Sequence, residues 1–169
     1  MGNWTIDASH SEVSFKVKHL MINNVKGIFK KFHGEVQSED DHFKSFKANF
    51  TAEVSSIDTA SEQRDQHLKS PDFFDVEKFP SLTFQSEKYD GKFLYGQLTI
   101  KGITKQVKLE VEFGGLAKDP WGNTKAGFSV SGKINRKDFG LNWNAALETG
   151  GVLVSEEVKL LAEIQLVKS

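Results

Sequence analysis

The stretch Val107-Lys108-Leu109-Glu110-Val111-Glu112-Phe113 alternates apolar and charged residues at every step. Successive side chains of a β-strand point to opposite faces, so a period of two describes a strand with one dry face and one wet face. The same rhythm recurs on both sides of it. Upstream run Val13, Phe15 and Val17; Ile28, Phe32, Gly34 and Val36; Ala48, Phe50, Ala52 and Val54; Leu82 and Phe84; and Leu94, Gly96, Leu98 and Ile100. Downstream run Phe128, Val130, Gly132 and Ile134, then Val158, Leu160, Ala162, Ile164 and Leu166. Half-wet strands indicate an antiparallel sheet, because parallel sheets covered on both faces read as continuous apolar runs. The connections agree: Asp90-Gly91 is a strong hairpin signal, Lys101-Gly102 separates two more strands, and Asp119-Pro120-Trp121-Gly122-Asn123 is rich in turn formers. The fold class is therefore all-β. Eight strands left flat would expose two edges, and closure into an antiparallel barrel removes them.

An eight-stranded barrel is either just filled by side chains or holds one small ligand. Ala48, Ala52, Gly96, Gly132 and Ala162 on the inferred inward faces suggest unfilled volume. Glycines that merely relieve crowding at bends would look the same. The chain has 14 Phe against 2 Tyr, which favours an interior with much apolar area and few polar tips.

The 169 residues suit one domain over 1–169, with no linker or repeat. The 22 basic and 23 acidic side chains leave a net charge of −1, so there is no electrostatic case for nucleic acid. The absence of Cys removes disulfides, thiolate nucleophiles and Cys-ligated metals together. No apolar run is long enough for an integral membrane helix or an export signal core.

One segment, Thr59 to about Lys69, breaks the strand rhythm. Thr59 with Glu62 reads as a capping box, Asp65 and Lys69 are spaced for an ion pair, and Ser70-Pro71 ends the turn. A second short helix is expected over Trp143–Leu147, closed by Gly150-Gly151.

Chemical motifs are sparse. Gly127 to Lys133 has phosphate-loop spacing, but Ile134 follows where a hydroxyl is needed, and the stretch reads as a strand. No His-Glu-x-x-His occurs among the five His, so neither metal nor cofactor is expected. Asp7, His10 and Ser11 are triad residue types, but sequence neighbours rarely supply triad geometry, and a polar turn into the strand at Val13 is the simpler reading. Arg64 and His67 share a helical face and could hold an anionic group, or Arg64 could pair locally while His67 packs.

Several stretches run in one order along nearly the whole chain. They are Trp4-Thr-Ile-Asp-Ala-Ser-His10-Ser11, Val25-Lys-Gly-Ile-Phe29, Arg64-Asp-Gln-His-Leu-Lys-Ser70 with Asp72-Phe-Phe-Asp75, and Phe79-Pro80. Leu98-Thr-Ile-Lys-Gly-Ile-Thr-Lys105, Ile134-Asn-Arg-Lys-Asp-Phe-Gly140 and Ala146-Leu-Glu-Thr-Gly-Gly151 follow. In these the chain resembles the YceI-like family, the polyisoprenoid-binding, lipocalin-like lipid-binding proteins.

The resemblance implies an extended barrel with one or two short helices and a hydrophobic tunnel for a long isoprenoid or fatty chain. On the inferred inward faces, the tunnel residues expected are Phe15, Val17, Phe50, Val54, Leu98, Ile100, Phe128, Val130, Leu160 and Ile164. The headgroup residues expected are Arg64 and His67, with Asp65 and Asn144 as further candidates. The expectation is a lipid carrier or store with a stress-related role, with no catalysis and a homodimer among its assemblies. Family members often carry an export signal; none precedes Trp4 here, so a cytoplasmic location is expected. The rival readings are a hydrolase or isomerase using His67 or His10, and an interaction protein with a packed barrel.

Overall fold

The computed structural model describes residues 2–20, 22–144 and 154–169. Its strands are β1 (Gly2–Ile6), β2 (Glu12–His19), β3 (Asn23–Phe29), β4 (Phe32–Ser38), β5 (Phe46–Glu53) and β6 (Ile57–Asp58). Helix α1 (Glu62–Lys69) follows, then β7 (Ser81–Tyr89), β8 (Phe93–Ile100), β9 (Ile103–Lys118), β10 (Thr124–Asn135) and β11 (Val154–Lys168). All pair antiparallel in one sheet. An eight-stranded ring, β1-β4-β5-β7-β8-β9-β10-β11, closes where β11 meets β1.

The remaining strands belong to the same ring. β1 and β2 both lie along β11, with Ile6 opposite Leu166 and Phe15 opposite Leu160. Residues 2–19 thus make one path, broken by a 3-10 turn over Ala8–His10. β4 and β3 continue that doubling against β1 and β2, and β5 and β6 against β4 and β3. Three bent paths and five continuous strands make the extended barrel.

Each bend switches which residue parity faces inward. Val25, Gly27 and Phe29 face inward in β3, whereas Phe32, Gly34 and Val36 do so in β4. Ile28 therefore does not share a face with Phe32, contrary to the uninterrupted alternation expected from sequence. The break at Lys30-Lys31 shifts the phase, and a shift by one residue moves every side chain to the opposite face.

One barrel end is plugged. The β4–β5 connection turns Phe43 inward through a left-handed backbone (φ 53°). Its ring packs 5.0 Å from Trp4, 5.3 Å from Phe113 and 4.9 Å from Phe128. The other end carries α1. The helix begins later than expected, because Ala60 takes a positive φ of 64° and reverses the chain ahead of it. Ser61 is the cap, accepting from the Arg64 amide at 3.3 Å, and Thr59 is not. Asp65 turns back to accept from the Thr59 amide at 2.9 Å and from its hydroxyl at 2.5 Å, so its hydrogen bonds run to Thr59 where a pair with Lys69 was expected. Trp143 and Asn144 are not helical; the rest of the expected second helix, with Gly150-Gly151, lies outside the described residues.

Candidate ligand cavity

The inward faces of β2, β3, β5, β7–β11 and α1 enclose a cavity of about 630 Å³. That volume lies within the ~300–1,000 Å³ usual for small-molecule sites. Nine of the ten expected tunnel residues line it: Phe15, Val17, Phe50, Leu98, Ile100, Phe128, Val130, Leu160 and Ile164. Val54 does not. It sits in the 3-10 turn between β5 and β6, where its side chain is fully buried in the core and off the strand face.

The small inward residues divide into two kinds. Ala48 and Ala162 line the cavity, as their size suggests. Gly96 does not leave space, because a Cβ there would meet the Phe84 ring at 2.5 Å. At Gly132 a Cβ would meet Leu109 at 2.7 Å. These glycines make room for neighbouring side chains.

The groups that carry or can acquire positive charge gather at the end opposite the Phe43 plug. His19 pairs across the sheet with Val154. Arg136 donates to the carbonyls of Val154 and Trp143, at 3.3 and 2.8 Å. The His67 ring stands edge-on to Trp143, with centroids 4.7 Å apart, and Arg64 lies one turn away on α1. All four side chains line the cavity, and among the described residues no Asp or Glu does.

Arg64 is exposed. Its Nε donates to Thr59 Oγ1 at 2.8 Å and its Nη2 to the Thr59 carbonyl at 2.6 Å, while among the described residues no acceptor engages Nη1. Its local partner is thus a buried threonine. His67 Nε2 lies 2.9 Å from Asp72 Oδ2 at the rim. That pair could orient an imidazole, but among the described residues no hydroxyl is hydrogen-bonded to the ring. Asp65 and Asn144, the other two candidates, do not line the cavity. Asn144 bridges both backbone groups of Val154, donating to its carbonyl at 2.7 Å and accepting from its amide at 3.0 Å.

Arg136 was not foreseen as a cavity residue. It is 3% exposed, and its guanidinium donates to four backbone carbonyls, of Leu141, Trp143, Val154 and Ser155. Burial lowers its pKa from the usual arginine range, while nearby Glu156 counters this. The basic residue in Ile134-Asn-Arg-Lys was the available signal, but period two alone places such a residue in a loop.

The cluster Asp7, Ser9, His10 and Ser11 lies away from the cavity. Asp7 accepts from Ser9 at 2.8 Å and from Lys125 at 2.6 Å, and His10 Nδ1 lies 2.7 Å from it. Ser11 donates to the Asp7 carbonyl at 2.7 Å. Ser11 is thus turned to backbone and not to His10, and the group is a staple at the bend between β1 and β2.

A closed antiparallel barrel around an apolar cavity is a lipocalin-like architecture. The YceI-like domain model matches residues 4–166, and the chain belongs to that family. A UPF0312 protein of Staphylococcus aureus strain N315 is 43% identical over 98% of this chain and 97% of its own length. The solved Campylobacter jejuni YCEI protein is 36% identical with a TM-score of 0.77, covering 96% of both chains. Burkholderia cenocepacia BcnA is 25% identical with a TM-score of 0.77, covering 95% of this chain and 98% of its own. A polyisoprenoid binding domain from Saccharophagus degradans, 14% identical, shares the fold with a TM-score of 0.73 over 98% of both chains.

Proposed function

We propose that this protein binds and carries or stores a long-chain isoprenoid or similar amphiphilic lipid, without chemistry of its own. The tail occupies the Phe-rich barrel, and an anionic head lies at the Arg64–His67 mouth. One observation carries this reading: the cavity is apolar along its length, and among the described residues that line it the ionisable groups are all cation-forming and gathered at one end. Each buried methylene contributes ~0.8 kcal/mol, so the tail supplies affinity by area. The head then sets orientation, because a charge-assisted hydrogen bond to a partly desolvated guanidinium contributes ~1.5–3 kcal/mol. The binding named for the Saccharophagus domain agrees with a lipid in such a barrel.

The test titrates delipidated protein with an isoprenyl diphosphate and with the uncharged alcohol of the same tail, following tryptophan fluorescence, to which Trp143 at the cavity contributes. Both should bind, the diphosphate more tightly. Arg64→Ala should weaken the diphosphate roughly ten- to a hundredfold and leave the alcohol nearly unchanged. Equal losses for both would make Arg64 a structural residue through its Thr59 bonds. Failure of either ligand to bind would remove the proposal.

A further inference from the structure

The outer wall beside the cavity mouth carries an arrangement that holding a lipid does not require. Lys16 of β2 lies directly opposite Lys26 of β3 on one side and Lys159 of β11 on the other. Lys159 in turn lies opposite Lys133 of β10. Four lysines thus form one row across four neighbouring strands, alternating in sequence with cavity-lining Phe15, Val25, Val158 and Ile134. The outer two have acids nearby, Lys26 with Glu12 at 2.8 Å and Lys133 with Glu157 at 3.5 Å. Among the described residues Lys16 and Lys159 form no ion pair. Like charges directly opposite one another repel, so the row opposes the fold that holds it.

Charge is also sorted along the barrel axis. Four residues toward the plugged end from Lys16 and Lys159, Glu12 lies opposite Glu163. In β10 Ser129 lies beside Glu163 and is followed across the next strand by Glu112. The wall therefore has a lysine band toward the mouth and a glutamate band below it. The chain as a whole has a net charge of −1, so the lysine band is a local feature and not general basicity. Of the acids nearer the mouth, Glu157 is paired with Lys133 and Glu156 with Lys137 at 2.8 Å, Asp72 lies against His67, Asp65 accepts from Thr59, and Glu62 stands exposed at the start of α1.

Beyond the lysine band the β2–β3 hairpin ends in exposed apolar side chains. Leu20 is 38% exposed in a left-handed conformation (φ 55°), and Ile22 is 77% exposed. His19 and Val25, the inward-facing residues flanking this tip, line the cavity. At ~3.3 Å per residue, Lys16 lies roughly 13 Å from Leu20, with exposed Lys18 between them. A lysine stem covers about half of that distance, which leaves the ammonium groups within the ~8 Å Debye length of a charged plane at the tip.

We propose that this protein docks mouth-first on an anionic lipid surface, with Leu20 and Ile22 in the interfacial layer and the Lys16–Lys159 row facing the headgroups. Apolar side chains beside a basic band are the combination that binds peripheral proteins to anionic bilayers. An acidic protein or a nucleic acid would satisfy the lysines but offer no apolar layer to Ile22. The glutamate band turns the plugged end away from the same surface. Docking in this orientation brings the cavity opening to the bilayer, where an amphiphile can pass without crossing water. The inference extends the lipid-carrier reading to cargo exchange, and surface binding and cargo binding are measured separately.

Sedimentation with vesicles tests it. Wild-type protein should bind phosphatidylcholine vesicles containing phosphatidylglycerol, bind pure phosphatidylcholine far more weakly, and dissociate as salt rises. Lys16→Glu and Lys159→Glu, as single variants, should each lower vesicle binding by roughly tenfold. Each places a carboxylate between two lysines, so each should melt at or above the wild-type temperature, which separates lost docking from lost folding. Ile22→Ser should lower vesicle binding severalfold and leave binding of the isoprenyl diphosphate unchanged. Equal binding to both vesicle types, or unaltered binding by the lysine variants, would overturn the proposal. So would loss of binding to a DNA duplex in parallel with vesicles while Ile22→Ser has no effect, since that would describe general polyanion binding. Failure of the diphosphate to bind while docking persists would overturn the cargo reading alone.

Discussion

Gly27 and Gly96 look alike in the sequence, each a glycine inside an alternating strand, yet their surroundings differ. A Cβ at Gly27 would fall 2.3 Å from the Phe15 Cζ atom, the tip of a ring that can swing. That ring lines the cavity, so the open direction is into the ligand volume. Gly27→Ala should therefore cost little stability, about 1 kcal/mol or less, while weakening cargo binding several- to tenfold. A Cβ at Gly96 would meet the Gln85 carbonyl at 2.5 Å as well as the Phe84 ring. Backbone cannot move aside in the same way, so Gly96→Ala should destabilise by ~1–3 kcal/mol. Thermal melts with and without the isoprenyl diphosphate separate the two cases, and matched behaviour would refute the distinction. The inward face was legible from alternation at Gly96 but not at Gly27, whose neighbour Ile28 was expected on the inward face. What filled the space was not legible, because the alternation says nothing about which cross-strand ring lies over a glycine. Val54 fails for a related reason: it keeps the strand rhythm in sequence but falls in a 3-10 turn.

At the scale of elements, the long uninterrupted strands were the most legible. Phe128 to Ile134 and Val158 to Leu166 sit opposite one another in the register that their alternation implies, Phe128 facing Ile164 and Gly132 facing Leu160. The bent paths were harder, because a phase flip at Lys30-Lys31 leaves residue types unchanged and moves Ile28 to the other face. The helix was legible in its body and misread at its start, where Thr59 fits a cap in sequence. In the fold Thr59 is buried, and its hydroxyl donates to Asp65 while accepting from Arg64 Nε at 2.8 Å. Removing that hydroxyl leaves two polar partners short, so Thr59→Val should cost ~1–3 kcal/mol and disturb the placement of Arg64. Ser61 makes a single longer cap bond of 3.3 Å at an exposed helix end. Ser61→Ala should then cost near the low end of the usual capping range, about 0.5–1 kcal/mol. Urea titrations that ranked Ser61→Ala above Thr59→Val would reverse this assignment. Arg136 and Asn144 were legible only as residue types, since their hydrogen bonds reach across to Val154 and depend on tertiary structure.

At the scale of the whole molecule, ring closure depends on where residues 2–19 bend, because that bend lets one path serve both halves of β11. Asp7 lies at the bend and is joined to Lys125 of β10 on the far side of β11, their side chains 17% and 15% exposed. Hydrogen bonds from Lys125 and Ser9, with His10 beside them, hold the Asp7 carboxyl well below the usual carboxylate range, against a desolvation that would raise it. A depressed carboxylate stabilises the folded state above its unfolded value of ~3.9, and that contribution is lost as pH falls toward the folded value. Asp7→Asn keeps the side-chain shape but leaves the half-dry Lys125 ammonium without its counter-charge. It should lower stability at pH 7 by about 1–3 kcal/mol, a charge-assisted hydrogen bond being worth roughly that much. The gap between wild type and variant should persist from neutral pH down to about pH 4 and narrow below it, as the carboxyl takes up its proton in the unfolded wild-type chain before it does so in the fold. Chemical denaturation at a series of pH values measures that gap. A gap still undiminished well below pH 3 would show that Asp7 holds the bend through its neutral hydrogen bonds, and not through its charge.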